Sequence, residues 1–107
     1  MKERLLRVER NGGLYAAVFV CPACGIYHQL KIGGEDGWTF NGDFVRPTFT
    51  PSLLVEWCHG EDRLEKRCHS YIRDGRIEFL ADSKHALSGQ TVELAEVSEE
   101  ERERWNG

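Results

Sequence analysis

The chain has 107 residues, 40% hydrophobic and 30% charged, with 14 basic against 18 acidic side chains and a net charge of −4. That length suffices for one modest core and excludes a two-domain enzyme, while the acidic balance excludes a global positive field that would draw the protein to nucleic acid or an anionic membrane. No apolar run approaches the roughly 18 residues of a membrane span, and Met1-Lys2-Glu3-Arg4 lacks the apolar stretch of a secretory signal, so a cytoplasmic location is expected.

Asn11-Gly12-Gly13 reads as a turn, and the continuous apolar run Leu14 to Val20 reads as a buried strand leading into Cys21-Pro22-Ala23-Cys24-Gly25. Residues 26 to 32 alternate, with Ile26, His28, Leu30 and Ile32 on one face, and form a returning strand. Trp38-Thr39-Phe40 and Asp43-Phe44-Val45 flank Asn41-Gly42, which predicts a small aromatic hairpin. Arg46 and Thr50 precede prolines, so 46 to 51 should be extended. Leu53, Val55 and Trp57 share a face of the next strand, and the charged residues 59 to 67 read as a solvated loop.

Residues 68 to 81 form the most legible unit. Asp74-Gly75 closes a two-residue hairpin that pairs Arg73 with Arg76, Ile72 with Ile77, Tyr71 with Glu78 and Cys68 with Ala81. This register turns Cys68, Ser70, Ile72, Ile77, Phe79 and Ala81 toward the core and His69, Tyr71, Arg73, Arg76 and Glu78 toward solvent or a site. Asp82-Ser83 is expected to cap a helical turn over residues 84 to 87, stopped by Gly89, and residues 90 to 95 supply the last strand. Ser98 with Glu101 three positions later is the spacing of a capping box on a short terminal helix. The expected architecture is a mainly β (small α+β) domain over 1–95, built around a zinc knuckle, with a short helical turn and an acidic C-terminal helix or tail over 96–107.

Four Cys and four His carry the chemistry. Two thiolates two residues apart can bite one tetrahedral Zn²⁺, and the following Gly lets backbone N–H groups turn toward the sulfurs. A thioredoxin-like dithiol would need a helix after the pair, where a period-two strand stands instead. No second Cys-x-x-Cys exists, so the remaining ligands come singly: Cys68 first and His85 second, with His69 and His28 as alternatives and Cys58-His59 less supported. The competing readings are a plain buried thiol for Cys68 and an ordinary backbone-bonded imidazole for His85.

The motifs Cys21-Pro22-Ala23-Cys24-Gly25 with His28, Trp38-Thr39-Phe40-Asn41-Gly42, Pro47-Thr48-Phe49-Thr50-Pro51-Ser52 and Cys68-His69-Ser70-Tyr71-Ile72-Arg73-Asp74-Gly75 resemble a family of small phage and prophage proteins grouped as a domain of unknown function. The resemblance runs from about Val20 to Leu94 and on through Asp82, His85 and Gly89. Many such relatives carry Cys where Ser83 stands, which implies that this chain draws its fourth ligand from His85 or His69. No activity comes with the resemblance.

Three functions compete. The first is a non-enzymatic module with structural zinc that binds a protein partner through Trp38, Phe40 and Phe44 or the acidic tail, and this reading is placed ahead of an enzyme. The second is a metal-dependent hydrolase with His69, Glu78 and Asp82 around an open zinc position. Nucleic-acid binding is disfavoured because the basic residues near the N-terminus and at Arg63, Lys66 and Arg67 are interleaved with acids. The oligomeric state is not fixed by the sequence.

Overall fold

The computed structural model describes residues 2–59 and 64–106. Strands β1 (Leu6–Arg10), β2 (Gly13–Val20) and β3 (Tyr27–Lys31) form an antiparallel sheet in that order. The first turn uses Asn11 at φ 54° and Gly12 at φ 79°, the two positive angles that a two-residue hairpin matching strand twist requires. The apolar run of β2 is buried on both faces. Ala17 and Phe19 join the main core with Leu5 and Leu30, while Val18 packs with Leu6 and Val97 on the other side.

A second antiparallel sheet has the order β4-β5-β6-β7-β8, from Thr39–Phe40, Phe49–His59, Leu64–Arg73, Arg76–Phe79 and Thr91–Glu93. Phe49, Leu53, Ile72, Ile77 and Phe79 face Ala17, Phe19 and Leu30 in one core cluster that also contains Cys21 and Cys68. Each large apolar side chain so buried contributes about 1.5–3 kcal/mol. The two sheets touch in backbone at the isolated parallel bridge Ile32 to Trp38.

Among the described residues the molecule is mainly β with one short helix, α1 (Glu99–Asn106). Its start is the expected capping box: the Glu101 N–H donates to Ser98 Oγ at 3.1 Å and the Ser98 N–H to Glu101 Oε1 at 3.2 Å. Glu3 ties the helix to β1, accepting from Arg102 at 3.3 Å and Arg7 at 2.6 Å.

The hairpin register at Asp74-Gly75 matches the sequence reading from Arg73–Arg76 through Ser70–Phe79. Four expectations fail. Residues 43–45 do not pair with 38–40, because Asn41 Oδ1 accepts from the Asp43 and Thr48 N–H groups and Asp43 Oδ1 from those of Val45 and Arg46, so the chain coils and β4 pairs with Phe49 and Thr50 instead. No helical turn forms over 84–87, since Ser83 spends its hydroxyl on the backbone of His69. Ala81 is exposed because β7 ends at Phe79. The loop expected over 59–67 is largely strand, as β5 reaches His59 and β6 starts at Leu64, with Glu56 opposite Arg67 and bonded to it at 3.2 Å.

Candidate metal centre and a Ser-His-Asp constellation

Cys21 follows directly on β2 and is buried in the core cluster. The knuckle closes with Gly25 N–H donating to the Cys21 carbonyl at 2.9 Å, Gly25 standing at φ 73°. The N–H groups of Ala23 and Cys24 turn toward the Cys21 sulfur. His28 lies opposite Phe19 in the β2–β3 register and is 3% exposed. Cys68 comes from β6, across the core, and its sulfur is 3.8 Å from that of Cys21.

Cys21, Cys24, His28 and Cys68 each offer a donor atom, all within 4.8 Å of one another. A tetrahedron with Zn–S bonds of about 2.3 Å has S···S edges of about 3.8 Å, which is the Cys21–Cys68 separation. The thiols act on one another's acidity. Cys21 is pulled down to about 4, first because Cys68 donates its hydrogen to it and further by His28 and the knuckle N–H groups, against burial. Cys24 is pushed up to about 11 by burial and by the charge on Cys21. Cys68 is pushed up because its hydrogen is held by Cys21 and it too is buried. Only a cation could hold all three as thiolates, and three sulfurs with one imidazole suit a borderline-soft ion.

The structure therefore brings His28 beside the three thiols and leaves His85 out of the cluster. The His85 Nδ1 accepts from the Leu87 N–H at 3.2 Å, its ring stands edge-on to Phe79, and its Nε2 is buried without a hydrogen-bond partner among the described residues. The Cys58 and His59 side chains lie outside the described residues.

On the opposite face of the second sheet, His69 and Asp82, which the sequence grouped with Glu78 around an open zinc position, meet outside the group of metal donors and beside a residue that the sequence did not single out. Ser52 Oγ is 3.1 Å from His69 Nε2, and His69 Nδ1 is 3.1 Å from both carboxylate oxygens of Asp82. Each group is fixed by its element. In β5, Leu54 pairs with His69, and Ser52, two residues earlier, shares that face by strand alternation, just after a register shift between Phe49 and Leu53. The Trp38 indole N–H donates to the Ser52 carbonyl at 3.3 Å. Ser83 grips the backbone of His69 twice, accepting from its N–H at 3.0 Å and donating to its carbonyl at 2.9 Å. Arg67 Nη1 stands 4.0 Å from Asp82.

Glu78 takes no part, pairing with Arg73 at 3.5 Å. His69 and Asp82 are not in the metal group, and a tetrahedral ion held by all four donors of that group would have no open position for a hydrolytic water. Ser52 carried one signal in the sequence, its place at the end of Pro47-Thr48-Phe49-Thr50-Pro51-Ser52; its meeting with His69 depends on the β5–β6 register, which the sequence does not give.

No curated protein and no solved structure matches the chain. Residues 1–80 match the model of a family described as bacterial ubiquitination-like system serine protease (BubE), a stretch that includes Ser52, His69 and all four metal donors and stops two residues short of Asp82.

Proposed function

The chain belongs to the BubE family of bacterial ubiquitination-like system serine proteases, and on that premise we propose that it hydrolyses an amide bond with Ser52 as nucleophile, His69 as general base and Asp82 as the group that orients His69. The observation that carries this is the unbroken chain of contacts, Ser52 Oγ to His69 Nε2 and His69 Nδ1 to Asp82, each at 3.1 Å. The family's description, a serine protease of a bacterial ubiquitination-like system, supports a peptide or protein amide as the target.

The roles follow from the donors and acceptors. Asp82 accepts from His69 Nδ1–H, which leaves Nε2 unprotonated and able to accept the Ser52 hydroxyl hydrogen. As Oγ bonds to the substrate carbonyl carbon, that proton moves to Nε2 and the resulting imidazolium is stabilised by the adjacent carboxylate. Nε2 then passes the proton to the departing amine as the C–N bond breaks, leaving an acyl ester on Ser52. A water gives its proton to Nε2 while its oxygen attacks the ester, and the acid leaves as the proton returns to Oγ.

We assign the sulfur-rich site to structural zinc held by Cys21, Cys24, Cys68 and His28. Such an ion would neutralise the thiolates and clamp β6 at Cys68, one residue from His69. Its part is to hold the general base in place, outside the proton transfers.

The test is labelling by a small fluorophosphonate, with the adduct mapped by mass spectrometry. The expected result is modification at Ser52 that is abolished in Ser52→Ala and reduced by roughly 10³-fold or more in rate in His69→Ala, with metal content unchanged in Ser52→Ala. A wild-type protein that folds, carries its metal and takes no label at Ser52 would overturn the catalytic reading and return the chain to a zinc-stabilised interaction module.

A further inference from the structure

The strand that carries Ser52 has an edge that the fold leaves open where it adjoins the nucleophile. Strand β4 pairs with β5 only at Phe49 and Thr50, and no other described strand lies on that side. The direction of the backbone groups can be worked out from the neighbours of β6. The carbonyls of His69 and Arg67 accept from Leu80 and Lys84 on the β7 side. Strand groups alternate in direction, so those of Cys68 and Ser70 face β5 and bond their partners Val55 and Leu53. The N–H and C=O groups of Leu54 and Glu56 consequently face outward. The Ser52 carbonyl, two residues earlier, faces the same way and is taken by Trp38.

We propose that the substrate is bound as an additional β-strand on this edge, an extended peptide segment that exchanges backbone hydrogen bonds with Leu54 and Glu56 and so delivers its scissile carbonyl to Ser52 Oγ. This rests on the catalytic reading of Ser52. Three observations favour a substrate segment as the occupant. Ser52 and Leu54 are on one strand and one face, so a strand laid beside Leu54 runs on to the nucleophile with no further positioning element. The edge is closed by β4 up to Thr50 and by the indole at Ser52, and opens at the first residue beyond. Leu54 is 48% exposed on the triad's face, the side chain that a paired apolar residue would cover. An unpaired edge recognises main chain, and alternate side chains give selectivity. The occupant is a peptide free to become extended, such as a chain terminus or an unfolded linker, with an apolar residue opposite Leu54.

The experiment uses the wild-type full chain and a pool of capped decapeptides. The fastest-cleaved peptide is resynthesised with single backbone N-methyl groups at each position in turn. Edge pairing makes N-methylation of the residues opposite Leu54 and Glu56 lower kcat/KM at least tenfold while the residue between them tolerates it, a period of two. Leu54→Pro, which removes an outward N–H and spares the β5–β6 ladder, lowers cleavage of the unmethylated peptide at least tenfold with metal content and thermal midpoint retained. Cleavage that persists in Ser52→Ala overturns the catalytic reading. Cleavage that depends on Ser52 but shows a flat N-methylation profile overturns the edge pairing alone. A dimer that Leu54→Pro dissociates without slowing cleavage assigns the edge to a second copy of the chain and likewise overturns it.

Discussion

Asp82 is 48% exposed, yet both of its oxygens reach the same imidazole nitrogen of His69. In the proposed mechanism its part is orientational, since accepting from Nδ1–H would select the tautomer that leaves Nε2 able to accept. Replacing one oxygen by an amide nitrogen in Asp82→Asn would present a donor to Nδ1 and favour the wrong tautomer. The expected outcome is a loss of roughly 10³–10⁴-fold in the labelling rate at Ser52, with unchanged metal content, read by time-resolved labelling. At this scale the sequence was partly legible. The Asp74-Gly75 hairpin turns His69 away from the core, and the sequence groups it with Glu78 and Asp82 around an open metal position, where the structure instead sets His69 between Ser52 and Asp82. Alternation with Leu53 already puts Ser52 on the non-core face of β5; what the sequence does not give is the register that sets β5 beside β6 with Leu54 opposite His69.

The knuckle and strand β3 act as one element, and the choice between His28 and His85 as the nitrogen donor shows how they do so. His28 was legible as a residue on the apolar face of β3, where a buried core histidine and a ligand look alike from sequence. The β2–β3 register decides, because it sets His28 opposite Phe19, two residues from Cys21. His85 looked suitable only if residues 84–87 formed a capped helical turn, and the Ser83 hydroxyl that would have capped it is bonded to His69 instead. The two histidines therefore have opposite expected phenotypes. By elemental mass spectrometry, His28→Ala should bind metal substoichiometrically after mild chelation, while His85→Ala should keep one ion per chain. Retention in His28→Ala and loss in His85→Ala would reverse the assignment. The hairpin at 38–45 failed for a related reason: the side chains of Asn41 and Asp43 compete for backbone N–H groups that a ladder would have used.

Across the whole molecule, the terminal segments are joined by charge. Glu3 accepts from Arg7 on β1 and Arg102 on α1, and its carboxyl is held below its usual value, chiefly by the Arg7 hydrogen bond, against the cost of burial. A lowered carboxyl favours the folded state above its unfolded titration near pH 4.5, and the benefit is lost as the pH falls through the lower, folded value. Glu3→Gln should therefore cost about 0.5 kcal/mol at pH 7 and little at pH 3, compared by urea denaturation at the two pH values. An equal cost at both would show that Glu3 acts through packing. The acidic helix was legible from its capping box, but this docking was not, because Glu3 and Arg102 are 99 residues apart in the chain.

The order in which the metal donors occur along the chain bears on biosynthesis. Cys21, Cys24 and His28 fall within eight residues of one another, whereas Cys68 follows 47 positions after Cys21. On a ribosome the first three emerge together and can capture an ion while β6 is still inside the exit tunnel. The fourth bond can form only once Cys68 has been made, with Ser52 already translated and His69 the very next residue. Metal capture would thus hold an open, three-donor intermediate until Cys68 leaves the tunnel, and would close it as Ser52 and His69 can first meet. The nascent chain would carry no assembled hydrolytic centre until the clasp that joins its two sheets has shut.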